Sequence, residues 1–223
     1  GEADASRGLE YRDLLQRLIN GWRAAWNQDQ LPFLIVQLPG HGKNDEVVAS
    51  KGIAWLREAQ DMAQQLPGVH IAVTSDIGDA SDVHPDNKAQ TGERLALVAR
   101  EAVYGEKVAG LSPRFRTMRV EGNQAILEFD HAGSGLMIGQ APWVAKGGSQ
   151  FPADRLTGFF VAGTDKNWVA ADARIEGETV IVSAASVTAP VAVRYAWANT
   201  PQANLYNKEG LPAAPFRTDD WSG

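Results

Sequence analysis

The sequence predicts a mixed α/β chain: the carboxyl-terminal part of a parallel-stranded α/β domain over residues 1–107, followed by an all-β sandwich over 108–223. Three observations carry this reading. Up to about residue 107, amphipathic stretches and continuous apolar runs alternate as α-β-α-β-α, the order of a parallel sheet with helices on its faces. Beyond Gly110 the pattern changes to short strand-like runs separated by glycine and proline, as in a sandwich. The first region also supplies only two strands. Two parallel strands cannot cover both faces of a sheet and leave an edge open, so the remaining strands are expected from upstream residues or a second chain.

The elements follow in order. Leu14, Leu15, Leu18, Ile19, Trp22 and Trp26 recur at helical spacing, which predicts an amphipathic helix over 9–27. Residues 32–38 form a continuous apolar run closed by Pro39-Gly40, read as a strand buried on both faces. Trp55, Ala59, Met62 and Leu66 give a second helix, stopped at Pro67-Gly68. Val69 to Thr74 is the second strand, and 87–104 the third helix. In the second region, strands are predicted over 125–129, 158–162, 171–175, 179–183 and 191–195, with turns at Glu121-Gly122, Glu176-Gly177 and Ala189-Pro190. The boundary is expected between Tyr104 and Pro113.

The stretch richest in chemistry is Ser75 to Lys88, between the second strand and the third helix. Open α/β sheets place their sites at that carboxyl edge. Asp82 and His84, followed by Pro85, suit a general base held in one orientation, or else a solvated loop histidine. Asp76 and Asp79 read as loop-shaping or capping residues. His41, in Pro39-Gly-His-Gly42 at the same edge, is a candidate for touching substrate; His70 and His131 read as surface or strand-end residues. A histidine base needs something to activate. There is no cysteine, and none of the ten serines lies in a glycine-flanked strand-to-helix turn.

Composition narrows the functional classes. At 44% hydrophobic and 22% charged residues the chain has an ordinary globular make-up. A net charge of −6 argues against a nucleic-acid partner. No apolar run is long enough to span a bilayer. The four histidines are scattered without paired metal spacing, so neither a metal nor a cofactor is predicted. Seven tryptophans are many for this length; most are read as core, and a sugar-stacking platform is the reading for some of them.

Several blocks, in order, resemble one family. Gly1-Glu2 is similar to a Gln-Gly-Glu block, and Tyr11-Arg-Asp-Leu-Leu15, Val36-Gln-Leu-Pro39, Leu56-Arg-Glu-Ala-Gln60 and Asp82-Val-His-Pro-Asp-Asn-Lys88 follow it. The tail continues with Pro190-Val-Ala-Val-Arg-Tyr-Ala-Trp-Ala198, Asn204-Leu-Tyr-Asn207, Gly210-Leu-Pro212 and Pro215-Phe-Arg-Thr-Asp219. Together they resemble the sialate O-acetylesterases and related acetylxylan esterases of the SGNH hydrolase superfamily.

The resemblance implies the carboxyl-terminal part of an SGNH-type three-layer α/β/α domain and a serine esterase acting on O-acetylated sugars, sialic acids first. It implies His84 as the family's histidine, with Glu2 as its acidic partner or Asp82 in its place. It implies that Arg217, with the tail, packs back onto the catalytic domain and lines its cleft. The family's Gly-Gln-Ser-Asn nucleophile block is absent here, so the serine is expected from an upstream segment or second chain. A periplasmic or secreted location also follows from the resemblance alone. The alternatives are a non-catalytic carbohydrate-binding or interdomain module, and an inactive truncated homologue.

Overall fold

The computed structural model describes residues 1–42, 52–145 and 148–221. A short 3-10 helix, Glu2–Arg7, leads directly into α1 (Gly8–Trp26). Helix α1 ends where Asn27 turns left-handed at φ 53, its N–H donating to the Ala24 carbonyl and that of Gln28 to the Arg23 carbonyl. Leu15 and Ile19 pack inward, onto Ala63 and Val69. Arg23, also buried, donates to the carbonyls of Leu31 (2.9 Å) and Pro67 (2.6 Å), tying the helix end to the lead-ins of both following strands.

Strand β1 (Phe33–Val36) pairs in parallel with β2 (Val69–Ala72), Phe33 opposite Val69 and Val36 opposite Ala72. Between them runs α2 (Ile53–Met62), extended by a 3-10 turn at Ala63–Gln65. α3 (Lys88–Val98) follows β2, packs on both strands and passes into a π-helical turn at Ala99–Val103. The five predicted elements therefore stand in their predicted order. One expectation changes: β1 is not buried on both faces. All four of its apolar residues are half-buried, because β2 is its one neighbour and the opposite edge carries no strand among the described residues.

The second region holds two four-stranded antiparallel sheets. One has the order β3 (Arg114–Glu121), β4 (Gln124–Asp130), β9 (Thr179–Ser183), β8 (Asp172–Glu176). The other is β12 (Phe216–Arg217), β10 (Ala192–Tyr195), β6 (Phe159–Ala162), β7 (Val169–Ala170). A two-stranded ribbon, β5 (Leu136–Ile138) with β11 (Leu205–Asn207), accompanies them. Leu127, Phe129, Val180 and Val182 of the first sheet share one core with Phe159, Val161, Val193 and Tyr195 of the second. Two hairpins turn on the glycines marked in the sequence, Gly122 and Gly177, both at φ 61, where a side chain would be strained.

Two regions meet through one buried cation. Arg57 of α2 has no exposed surface, and its guanidinium donates to four main-chain carbonyls. Leu38 (2.7 Å) and Pro39 (2.8 Å) belong to the loop after β1; Ala198 (2.8 Å) and Asn199 (3.0 Å) belong to the segment after β10. Burial pulls this guanidinium down to about 9, so it still carries its charge at neutral pH. Replacing it takes a donor from all four carbonyls, of which that of Asn199 keeps the His41 N–H. Arg57→Leu is expected to lower stability by about 3 kcal/mol or more, read from the midpoint of urea unfolding.

Candidate active site at the carboxyl edge of the parallel strands

The loops after β1 and β2 lie against each other. A Cβ on Gly78 would sit 2.1 Å from the Gly40 carbonyl oxygen, so two main chains touch where no side chain fits. The contact is stitched by the Gly42 N–H to the Ala80 carbonyl (3.0 Å) and by the Thr74 hydroxyl to the Gln37 carbonyl. His41 is tied by its N–H to the Asn199 carbonyl (3.2 Å), and its Nδ1 lies 3.3 Å from the Asp79 carbonyl oxygen. It therefore stands at the junction of both loops and the tail.

The acidic residues of the long loop divide by role. Asp76 is buried and grips Arg94 of α3 through both oxygens (2.5 and 2.7 Å), while the Tyr206 hydroxyl donates to it at 2.7 Å. This fixes the loop to α3 and to β11. Burial and the Asp76 charge together push the Tyr206 phenol far above its usual value. Asp79 is at the surface, where hydrogen bonds from the Ser81 hydroxyl (2.7 Å) and N–H (2.8 Å) hold its carboxyl below the ordinary range. Both act on loop shape, as their positions suggested.

His84 is 83% exposed at its side chain. The Asp82 carboxylate accepts the His84 main-chain N–H at 2.8 Å and lies 3.7 Å from the imidazole Nδ1. Pro85 is buried and anchors the loop beneath it. Helix α3 begins at Lys88, with the Asn87 side chain accepting the Gln90 N–H (3.1 Å), so Pro85 and Asp86 precede the helix. Glu2 is exposed in the first turn of the leading 3-10 helix and makes no hydrogen bond or ion pair to His84. The chain start nevertheless lies at this edge, since a side chain at Gly1 would meet Leu38 at 3.5 Å, just past the end of β1.

Arg217 does pack back onto the first region. Its side chain is 9% exposed, bonds Glu58 of α2 at 2.6 Å and lies over the ring of Trp55 at 4.5 Å. Its planar charge is thus engaged inside the junction. Trp143 is a residue at these loops that the sequence did not single out. It lines a cavity of about 120 Å3 with Ser75, Gly78 and Ala80 of the β2 loop and Thr200 of the tail. No periodicity marks such a residue, because it reaches the site across tertiary structure. Among the described residues no cluster of three or more potential metal ligands is present, and no helix is long and apolar enough to cross a membrane.

No family model matches the chain, and no curated protein does. Among solved structures it is similar to a crystal structure described as a novel carbohydrate acetylesterase from Xanthomonas citri. The identity is 40% and the TM-score 0.86, over 99% of this chain and 49% of that one. The chain thus spans about half the length of the protein it matches. The likeness extends through both regions, so their mixed α/β architecture is similar to that of this carbohydrate acetylesterase.

The network around Asp76 carries a testable consequence. Asp76→Asn removes one buried charge opposite Arg94 and is expected to lower stability by about 3–5 kcal/mol, whereas Asp79→Asn at the surface is expected to leave the unfolding midpoint close to that of the wild type. Urea unfolding of the two variants separates them.

Proposed function

We propose that this chain forms half of a carbohydrate O-acetylesterase, and that it supplies the histidine and the acidic residue of a serine esterase whose nucleophile lies outside the chain. The observation that carries the reading is the 40% identity to a carbohydrate acetylesterase over 99% of the chain. The half-buried apolar edge of β1 supports it, because another parallel strand fits there. The finer reading, from the blocks around Gly1-Glu2 and Asp82 to Lys88, is a sialate O-acetylesterase of SGNH type.

In this reading a serine from the completing segment attacks the acetyl carbonyl of the sugar ester, and His84 takes its proton. As the tetrahedral adduct collapses, protonated His84 returns that proton to the departing sugar oxygen. Water, activated by the same imidazole, then releases acetate and restores the serine. Glu2 orients the imidazole. Asp82, whose oxygen already accepts the His84 main-chain N–H, is the alternative for that role. His41 and Trp143 border the space where the sugar would lie, and an indole suits the apolar face of a pyranose.

Purified alone, this chain is expected to leave an aryl acetate unhydrolysed; hydrolysis abolished by a serine-directed inhibitor would overturn the outside nucleophile. In the assembled enzyme, His84→Ala should lower kcat by several orders of magnitude, as triad losses do. A variant keeping a tenth of the wild-type rate would remove His84 from the mechanism. Glu2→Gln is expected to cost more than Asp82→Asn in the same assay, and the reverse order would assign the orienting role to Asp82.

A further inference from the structure

A second polar cavity lies away from the carboxyl edge. It has a volume of about 230 Å3 and sits between β2 of the parallel sheet and the β3–β4 side of the antiparallel region. His70, the second residue of β2, enters it from one wall; His131, just past β4, and Ser112, just before β3, enter from the other. Asp61 of α2 and Arg114 of β3 close one side. Ile71 and Val73 add apolar surface.

The hydrogen-bonding capacity of this cavity is lopsided. The Asp61 carboxylate already accepts Arg114 (2.5 Å) and Gln64 (2.8 Å). Both imidazoles and the Ser112 hydroxyl, by contrast, face the cavity without a side-chain hydrogen bond to the described residues. His131 also holds a left-handed main chain at φ 57, a conformation that costs a non-glycine residue energy and that clusters at functional positions. Unused donors converging on a partly apolar cavity suit a small ligand rich in acceptors.

We propose that this interdomain cavity binds a small aliphatic carboxylate of acetate size, with His70, His131 and Ser112 donating to its oxygens and Ile71 and Val73 against its apolar end. The site is separate from the proposed catalytic edge and does not depend on that assignment. Burial holds the His70 imidazole below its usual value, the neighbouring His131 acts in the same direction, and Glu101 opposes them. Asp61 and Arg114 offset each other across their ion pair. A bound carboxylate favours the charged form of the His70 imidazole, so affinity rises as the pH falls through the lowered His70 pKa.

The four histidine Cε1–H resonances of the 223-residue chain provide the test, each assigned by single substitution. Sodium acetate is titrated against sodium chloride at matched ionic strength, at about pH 6 and about pH 8. His70 and His131 should shift saturably while His41 and His84 stay in place, with affinity at least about tenfold weaker at the higher pH, as loss of a charge-assisted hydrogen bond requires. His131→Asn tolerates the left-handed backbone without the charge and should weaken the His70 titration by about tenfold. No saturable shift at His70 and His131, or equal shifts at all four histidines, overturns the site. Tighter binding of inorganic phosphate than of acetate overturns the carboxylate assignment, and an unchanged His70 titration in His131→Asn removes His131 from it.

Discussion

The structure depends on a buried cation that forms no ion pair with a carboxylate among the described residues. Arg57 is fully buried and satisfied by carbonyl dipoles from two distant parts of the chain, the Leu38-Pro39 turn and the Ala198-Asn199 segment. Each guanidinium–carbonyl bond supplies a donor to a loop carbonyl, and that of Asn199 also accepts the His41 N–H. The fork geometry of arginine makes this possible, since a lysine ammonium cannot reach four carbonyls arrayed in a plane. The consequence is positional. The β1 loop takes its shape from the tail, and the β2 loop packs against it through the Gly40–Gly78 contact, so the edge carrying His41 and His84 is built on a main chain fixed from both regions.

Alongside that clamp runs a ladder of alternating rings and guanidinium groups. Arg12 lies over Trp55; Arg217 lies between Trp55 and Trp197; Arg194 lies between Trp197 and Trp168. Glu58 bonds Arg12 and Arg217, and Asp219 bonds Arg194 through both oxygens and also reaches Arg217. Burial alone would raise the Asp219 carboxyl, but the two guanidinium groups hold it below its usual value. Helices α1 and α2 are thereby joined to β10 and β12 by contacts that are apolar in area and ionic in orientation. A hydrophobic patch of the same size would bind without fixing the angle; the planar pairs fix both.

Much of this was legible in the sequence, and the boundary is physical. Periodicity located α1 and α2, and continuous apolar runs located β1 and β2, because burial alone decides those segments. The glycines at 122 and 177 located two hairpins, because only glycine takes that backbone easily. Strand β3 escaped notice because Arg114, Arg116, Arg119 and Glu121 give it the composition of a solvated loop. It is an edge strand, where charge is tolerated and deters further pairing. β12, only two residues long, has no pattern to read. The position of the loops carrying His41 and His84 at the carboxyl edge of β1 and β2 followed from strand-loop-helix order. The contacts of Asp76 and Arg57, and the cavities that His70 and Trp143 line, did not, since each is set by residues far away in sequence.

The half-buried state of β1 bears on how the proposed base could work. Phe33 to Val36 are apolar throughout yet paired on one side only, and α1 carries Leu18 and Trp22 on its surface at 55% and 47% exposure. Exposed apolar edge and helix face lie in the same part of the fold, as expected of an incomplete sheet. His84, 83% exposed, is as open as the edge it belongs to. A general base in water gains little orientation from a carboxylate 3.7 Å away, since solvent competes for Nδ1 and screens the charge. Asp82 is already used in shaping the turn through the His84 N–H. What the imidazole lacks is exclusion of water and an in-plane acceptor. A segment pairing with β1 would bring the first and, by burying the chain start beside Leu38, would order Glu2 for the second. In the proposed enzyme, completing the sheet and activating the histidine are then the same event.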